Sequence, residues 1–118
     1  MKRDDDLIRN LLLEFEERED WLKAIPQTTS MSKEDRKIIG HIYLLCDAGL
    51  VTSVGRDTYR LTNQGHDFLE ATRDEGLWQT TKDAVSETGG NATLEIVKTL
   101  AIGLLKKKIS QHTGIDLE

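Results

Sequence analysis

The chain has 118 residues, of which 37% are hydrophobic and 31% charged, and it carries a net charge of −5 at neutral pH. This size and composition predict one globular domain with a single core, and the one cysteine, Cys46, excludes an intramolecular disulfide and a multi-cysteine zinc site. No run approaches the roughly 18 apolar residues of a membrane span, and the opening MKRDDD lacks the apolar core of a signal peptide. We therefore expect a cytoplasmic protein without membrane contact.

The charge is distributed unevenly. Residues 1–20 carry eight acidic and four basic groups, whereas residues 21–61 carry six basic and four acidic groups. A negative net charge opposes strong non-specific DNA affinity, because that affinity depends on Lys and Arg releasing phosphate counterions. Residues 21–61 are nevertheless the least acidic part of the chain.

The first half of the chain alternates helical and extended patterns. A first helix is predicted over Asp4–Arg18, with apolar positions at helical spacing: Leu7, Ile8, Leu11 and Phe15. Pro26 predicts a break, with either a short extended piece at Trp21–Ile25 or a turn of helix. Ser32 is a suitable N-cap for a second helix, which Gly49 is expected to end. The predicted buried stripe of that helix is Ile38, Ile39, Ile42, Leu45 and Cys46.

A hairpin and three more helices follow. Two β-prone runs, Leu50–Val54 and Thr58–Leu61, flank the turn Gly55-Arg56-Asp57, and Thr62 precedes a third helix over Asn63–Arg73. The fourth predicted helix begins near Leu77 and ends at Gly89-Gly90, and the fifth begins after Thr93 and finishes in Lys106-Lys107-Lys108. These lysines either complement the helix dipole or form a phosphate-binding tail.

The predicted fold class is mainly α with a small β-hairpin wing (α+β), that is, a winged helix-turn-helix with a C-terminal helical extension. The winged-helix domain is expected over residues 1–76. A two-helix extension over residues 77–112 is expected to pack on the same domain or to form a dimer interface. Residues 113–118 are expected to be a flexible tail, with Leu117-Glu118 resembling the remnant of a purification tag.

The chain shows no pattern of a catalytic site. His41, His66 and His112 fall on three different predicted elements, and no Gly-rich phosphate loop, nucleophile elbow or Cys-x-x-Cys is present. We therefore expect a protein that is not an enzyme, with no cofactor, no metal and no small-molecule ligand.

Basic residues on the second helix and in the hairpin favour DNA binding in a regulatory role. The helix that a winged helix presents to the major groove carries cations here in its first turns, and the hairpin can reach the DNA backbone. The predicted DNA-binding residues are Lys33, Arg36, Lys37, His41, Arg56 and Arg60. The alternative is a protein–protein interaction module without nucleic-acid binding, or a homodimer through the last helix. Glu34 and Asp35, together with the outward-facing Tyr43 and Leu44, favour that alternative.

Several of these segments together resemble a bacterial family defined as a domain of unknown function, common in bacterial genomes and in their phages and prophages. The resemblance covers roughly residues 1–108. Its matching positions are Met1–Asp4, His41, Leu44, Leu45, Ala48–Leu50, Leu61, Thr62, Gly65, His66, Phe68, Leu69, Arg73, Asp74 and Trp78. The chain departs from many members in having a shorter wing. The resemblance implies a winged-helix relative of mobile-element origin, and it implies no activity or site.

Overall fold

The computed structural model describes residues 1–87 and 92–117. Within them the fold is mainly helical with one small antiparallel sheet, which confirms the predicted α+β class. The elements in chain order are α1 (Asp5–Glu17), β1 (Lys23–Ala24), α2 (Lys33–Asp47), β2 (Val51–Gly55), β3 (Thr58–Leu61), α3 (Asn63–Thr72), α4 (Glu75–Glu87) and α5 (Leu94–Thr113). The chain divides into two compact units, Met1–His66 and Asp67–Glu118.

Helix α1 begins where its acidic residues favour a helix N-terminus. The side chain of Asp4 accepts a hydrogen bond from the backbone N–H of Leu7 at 3.1 Å, which caps the helix. The buried side of α1 consists of Ile8, Leu11, Leu12 and Phe15. The predicted range was correct to one residue at each end, and Leu12 joins the apolar stripe in place of Leu7.

The segment between α1 and α2 contains a strand. Lys23 and Ala24 pair with Tyr59 and Thr58 of β3, so of the two alternatives the extended piece is the one that forms. Residues 25–32, all of which are described, contain no helix. The two helices that precede the hairpin are therefore separated by a strand and its loops and not by a short turn.

Glycine ends α2 as predicted. Ser32 caps the helix start by accepting from the N–H of Asp35 at 3.1 Å, and Gly49 follows the helix at φ 74°, a left-handed conformation that glycine adopts at little cost. The buried residues of α2 are Ile39, His41, Ile42 and Leu45. The predicted stripe was wrong in two respects, because Ile38 and Cys46 are only half-buried and His41 is fully buried.

The sheet places β3 between β1 and β2. Val51 pairs with Leu61 and Ser53 with Tyr59, and a register shift between Ser53 and Gly55 marks a bulge just before the turn. Val51, Tyr59 and Leu61 are buried. Buried and half-buried positions therefore alternate along β3 with the period of two that is typical of a strand.

A compact junction joins the start of α3 to the end of α2. Thr62 donates its backbone N–H to the carbonyl oxygen of Leu50 at 3.0 Å and its hydroxyl to the carbonyl of Gly49. The same hydroxyl accepts from the N–H of Gly65 at 3.0 Å. A methyl group on Gly65 would lie 2.1 Å from the Leu50 oxygen, so only glycine fits there without a shift of the backbone. The Leu-Thr-x-x-Gly pattern is thus a structural joint.

In the second unit, α4 and α5 pack against each other. Asp74 caps α4 by accepting from the N–H of Leu77 at 2.9 Å, and Trp78 and Thr81 are its buried residues. The buried residues of α5 are Val97 and Ala101. The predicted end of α4 at Gly89-Gly90 lies outside the described residues.

Helix α5 is longer than predicted. It continues past the lysine run to Thr113, and Gly114 ends it at φ 72° with its N–H bonded to the carbonyl of Ser110 at 2.8 Å. The predicted end at Lys106-Lys107-Lys108 was wrong because no glycine or proline lies between Lys108 and Gly114. These lysines therefore do not stand at the helix terminus. Lys108 forms an ion pair with Asp74 at 3.2 Å.

The division between the two units falls after His66, within the sequence of α3. How the extension packs, and whether residues 113–118 form a flexible tail, stay predictions. Among the described residues, none of the helices combines the length and apolar character that crossing a membrane requires.

Candidate nucleic-acid interface

Three cations occupy one side of the first turns of α2. Arg36 and Lys37 come three and four positions after Lys33, so at about 100° per residue they lie on either side of it, and the three project from a sector of about 100°. Lys33 and Arg36 are exposed, and Lys37 is half-exposed. Glu34 and Asp35 project from other sides of the first turn, where the positive end of the helix dipole stabilises their carboxylates.

Lys37 already has an anionic partner. Its Nζ lies 3.3 Å from Oδ2 of Asp4, and the two side chains are 43% and 41% exposed. The pKa of Asp4 lies below its ordinary value, first because the N–H of Leu7 donates to the carboxylate and then because of the Lys37 ammonium. The pair is open to solvent, so other ions can compete for either partner.

His41 is fully buried, with 0% of its surface exposed. Its Nε2 lies 2.9 Å from the backbone N of Asp4, whose hydrogen it accepts, and its Nδ1 lies 2.8 Å from the carbonyl oxygen of Lys37. Since Nε2 accepts, Nδ1 carries the hydrogen and donates to Lys37, which makes the ring neutral. A buried side chain cannot contact DNA, so the prediction that His41 is a DNA-binding residue was wrong.

Arg56 stands at the tip of the hairpin. The turn places Asp57 at φ 52°, and the hydroxyl of Thr58 donates to the carbonyl of Arg56 at 3.0 Å, which holds the turn without using the arginine side chain. Arg56 is exposed. This is the position at which the sequence predicts a contact to a DNA backbone.

Arg60 lies away from the tip, in the middle of β3. It pairs with Thr52 of β2, and its Nη1 donates to the carbonyl of Leu61 at 3.1 Å. Its side chain also lines a surface groove of about 470 Å³ near the C-terminal end of α1. Arg60 is thus part of a different surface from the cations of α2.

That groove is a feature that sequence reasoning missed. Its most exposed aromatic residue is Trp21, at 69% exposure, held outward by a loop in which Arg18 donates to the carbonyl of Leu22 at 3.3 Å. The remaining lining residues are Phe15, Glu16, Glu19, Asp20, Arg60, Leu61, Asn63 and His66. Two guanidinium groups and three carboxylates make its charge mixed. The hydrophobic periodicity of the sequence gave no signal for this groove, because residues that are far apart in the chain form it.

Two other reactive side chains of the first unit are Cys46, which is half-buried, and Tyr59, which is buried. The pKa of Cys46 is raised by burial and secondarily by the charge of Asp47. The pKa of Tyr59 is raised by burial and then by the neighbouring Tyr43, whose hydroxyl accepts from the side chain of Gln27 at 2.7 Å. In the part of the chain that the structure describes, there is no group of three His, Cys, Asp or Glu side chains placed to hold a metal ion.

Comparison with known proteins identifies a family. The model of the family described as "Hypothetical protein (DUF2513)" matches residues 2–91. An "Uncharacterized protein" of Haemophilus influenzae is 24% identical over 118 residues, which cover 93% of this chain and 100% of that relative. No solved structure matches the chain.

Proposed function

We propose that this chain, which belongs to the family of hypothetical proteins DUF2513, is a DNA-binding protein of winged-helix type with a regulatory role. The observation that carries the proposal is the group of cations on one side of the first turns of α2, where Lys33 and Arg36 are exposed. The order of elements supports it, since α2 is followed directly by a two-stranded hairpin and another helix. The role does not include a catalytic step.

In this proposal α2 and the hairpin contact DNA together. Lys33, Arg36 and Lys37 reach phosphates or guanine edges from α2, and Arg56 reaches a neighbouring phosphate from the hairpin tip. His41 takes no part because it is buried. Arg60 lies in the groove beside Trp21, so we do not include it in this surface.

Four contacts of this kind give a definite salt dependence. Each neutralised phosphate contributes a slope of about −0.9 to the logarithm of the binding constant against the logarithm of salt concentration. Four such contacts give a slope of about −3.6, and hence a loss of about two orders of magnitude in affinity between roughly 50 and 200 mM salt. The net charge of −5 keeps the affinity modest, because the rest of the surface repels DNA.

Fluorescence anisotropy with mixed genomic DNA at about 50 mM salt tests the proposal. We expect micromolar binding that weakens in Lys33→Ala and Arg36→Ala, each of which should reduce the salt slope by about 0.9. Lys107→Ala is the matched control, because it removes one exposed cation from α5. No binding by the wild type would refute the proposal, and equal losses in all three variants would refute the assignment to α2.

The alternative, a protein–protein interaction module, is favoured by large apolar side chains at the surface. Tyr43 on α2 is 48% exposed and Val54 in the hairpin 44%, and on α5 Ile96 and Ile109 are 49% and 40% exposed. A homodimer through α5 predicts a mass that rises with concentration in size-exclusion chromatography with light scattering, and Ile96→Glu should abolish the rise. A strict monomer at high concentration would exclude self-association.

We further infer a cytoplasmic location and an origin in phages or prophages. The location follows from the proposed DNA ligand. The origin is supported by the resemblance of the segments Met1–Asp4, Ala48–Leu50 and Leu61–Leu69 to proteins common in phages and prophages. Finding the gene within a prophage, next to an operator-bearing promoter, would support both the origin and the regulatory role.

A further inference from the structure

The segment Met1–Asp4, which we call the N-terminal segment, lies along the side of α2 that carries Lys37 and His41. Its first residue lies over Gly40, where a methyl group would come within 2.7 Å of Met1 Sδ. Its last residue, Asp4, contacts α2 twice, through its backbone N–H to His41 and through its carboxylate to Lys37. The segment therefore covers part of the sector from which the cations of α2 project.

His41 anchors this segment. It is the one histidine buried at 0% exposure, and the hydrogen bond at 2.9 Å from the Asp4 amide uses its Nε2 while the carbonyl of Lys37 holds its Nδ1. The Asp4 amide belongs to the N-cap of α1 and has no carbonyl partner within that helix. His41 thus fixes the point at which the chain enters α1, and this point determines where the Asp4 carboxylate lies.

The contacts that Met1 and the Asp4 carboxylate make with α2 are weak enough to open. Met1 is 74% exposed, so its contact with Gly40 buries little apolar surface. The pair of Asp4 and Lys37, at 3.3 Å, is more than one-third exposed on both sides, and ion pairs of this kind contribute little to stability. A phosphate oxygen is attracted to the same ammonium charge that the Asp4 carboxylate neutralises.

We propose that the N-terminal segment is an autoinhibitory cover anchored by His41, in which the carboxylate of Asp4 competes with DNA phosphate for Lys37. This inference rests on the proposed DNA-binding function. The cover lowers affinity without blocking α2 completely, because Lys33 and Arg36 are exposed outside it. DNA binding would then displace Asp4 from Lys37 and leave the bond between the Asp4 amide and His41 in place.

The variant that tests the cover is Asp4→Asn. Asparagine caps a helix as well as aspartate does, so the bond to Leu7 and the backbone bond to His41 should persist while the charge facing Lys37 is lost. We expect DNA binding to tighten by about two- to fivefold, the range that the energy of an exposed ion pair allows. Glu19→Gln is the matched control, since it removes one exposed negative charge elsewhere in the first unit.

The same measurement in a Lys37→Met background completes a double-mutant cycle. If the carboxylate acts through Lys37, Asp4→Asn gives no more tightening there than Glu19→Gln gives in the wild type. Equal effects of Asp4→Asn and Glu19→Gln in the wild type would overturn the cover and leave the DNA-binding function standing. Absence of DNA binding in the wild type and in every variant would overturn the function, and the competition for Lys37 with it.

A second readout does not depend on DNA. The ¹⁵N shifts of the His41 ring should show an unprotonated Nε2 and a protonated Nδ1 in the wild type and in Asp4→Asn alike. A wild-type Nε2 that carries hydrogen would overturn the anchoring by His41, because a protonated nitrogen cannot accept from the Asp4 amide.

Discussion

The close approach of Gly65 to Leu50 allows a quantitative test of the joint between α2, β3 and α3. In Gly65→Ala the new methyl group would lie 2.1 Å from the Leu50 carbonyl oxygen and 3.1 Å from Cδ2 of Leu61. Carbon and oxygen atoms in contact lie about 3.3 Å apart, so the backbone must move by about 1 Å. That movement disturbs the bond from the Thr62 N–H to the same Leu50 oxygen.

The expected loss combines three contributions. Overpacking costs about 1–3 kcal/mol, and the weakened hydrogen bond costs about 1 kcal/mol. Replacing glycine by alanine in a helix returns up to about 1 kcal/mol. We therefore expect the free energy of unfolding to fall by about 1–4 kcal/mol, which corresponds to a fall in Tm of roughly 4–16 °C for a protein of this size.

Circular dichroism during thermal and urea unfolding measures this loss. Gly103→Ala in α5 is the control, because a methyl group there meets no atom within 4 Å. The control should keep or raise the stability, by up to about 1 kcal/mol. If Gly65→Ala unfolds within 1 kcal/mol of the wild type, the close approach does not constrain the fold and the reasoning fails.

Three further predictions concern a buried histidine, two capping carboxylates and two tryptophans. His41→Phe removes the acceptor of the Asp4 amide, so the free energy of unfolding measured in urea should fall by about 1–3 kcal/mol. His41→Gln keeps an acceptor and should lower it less. Equal losses in the two variants would contradict the role of His41 as an anchor. The pKa values of Asp4 and Asp74 are lowered in the folded protein, chiefly by the helix amides that donate to their carboxylates. Each carboxylate therefore contributes its full stabilisation at pH values above its pKa in the unfolded chain, about 3.9. This stabilisation is lost as the pH falls through the lower pKa of the folded protein. Asp74→Asn should therefore flatten the dependence of stability on pH below about 5, and an unchanged acid profile would contradict the lowered pKa of Asp74. Trp21 is 69% exposed and Trp78 is 3% exposed. In Trp21→Phe only Trp78 fluoresces, so the tryptophan emission should shift to shorter wavelength and iodide should quench it only weakly. Strong quenching by iodide in this variant would contradict the burial of Trp78.

The parts of the fold that were predicted correctly depend on neighbouring residues. Ser32 caps α2 as its hydroxyl and its position require, and Thr93 does the same for α5 by accepting from the N–H of Ile96 at 3.2 Å. Gly49 adopts the left-handed conformation that ends α2. These signals lie within four residues of the feature they specify, so a single sequence is enough to recognise them.

Apart from the end of α5, the errors concern pairings between distant residues. The predicted buried stripe of α2 omitted His41, because its partner Asp4 stands 37 residues away in the chain. The strand β1 is only two residues long, shorter than the extended piece predicted over Trp21–Ile25. Nothing in the local sequence shows that Trp21 is exposed beside Arg60. Contacts between residues far apart in the chain leave no signal in the spacing of residue types along the sequence.

By itself the sequence determined the helices, the hairpin and the turns of this protein, since caps, glycines and hydrophobic periodicity act over one or two turns of chain. Only the tertiary structure decided which of the predicted contact residues are accessible. It buries His41, pairs Lys37 with Asp4 and places Arg60 in a separate groove, while Lys33, Arg36 and Arg56 stay exposed. The physical reason is that the exposure of a side chain depends on what the rest of the chain places against it.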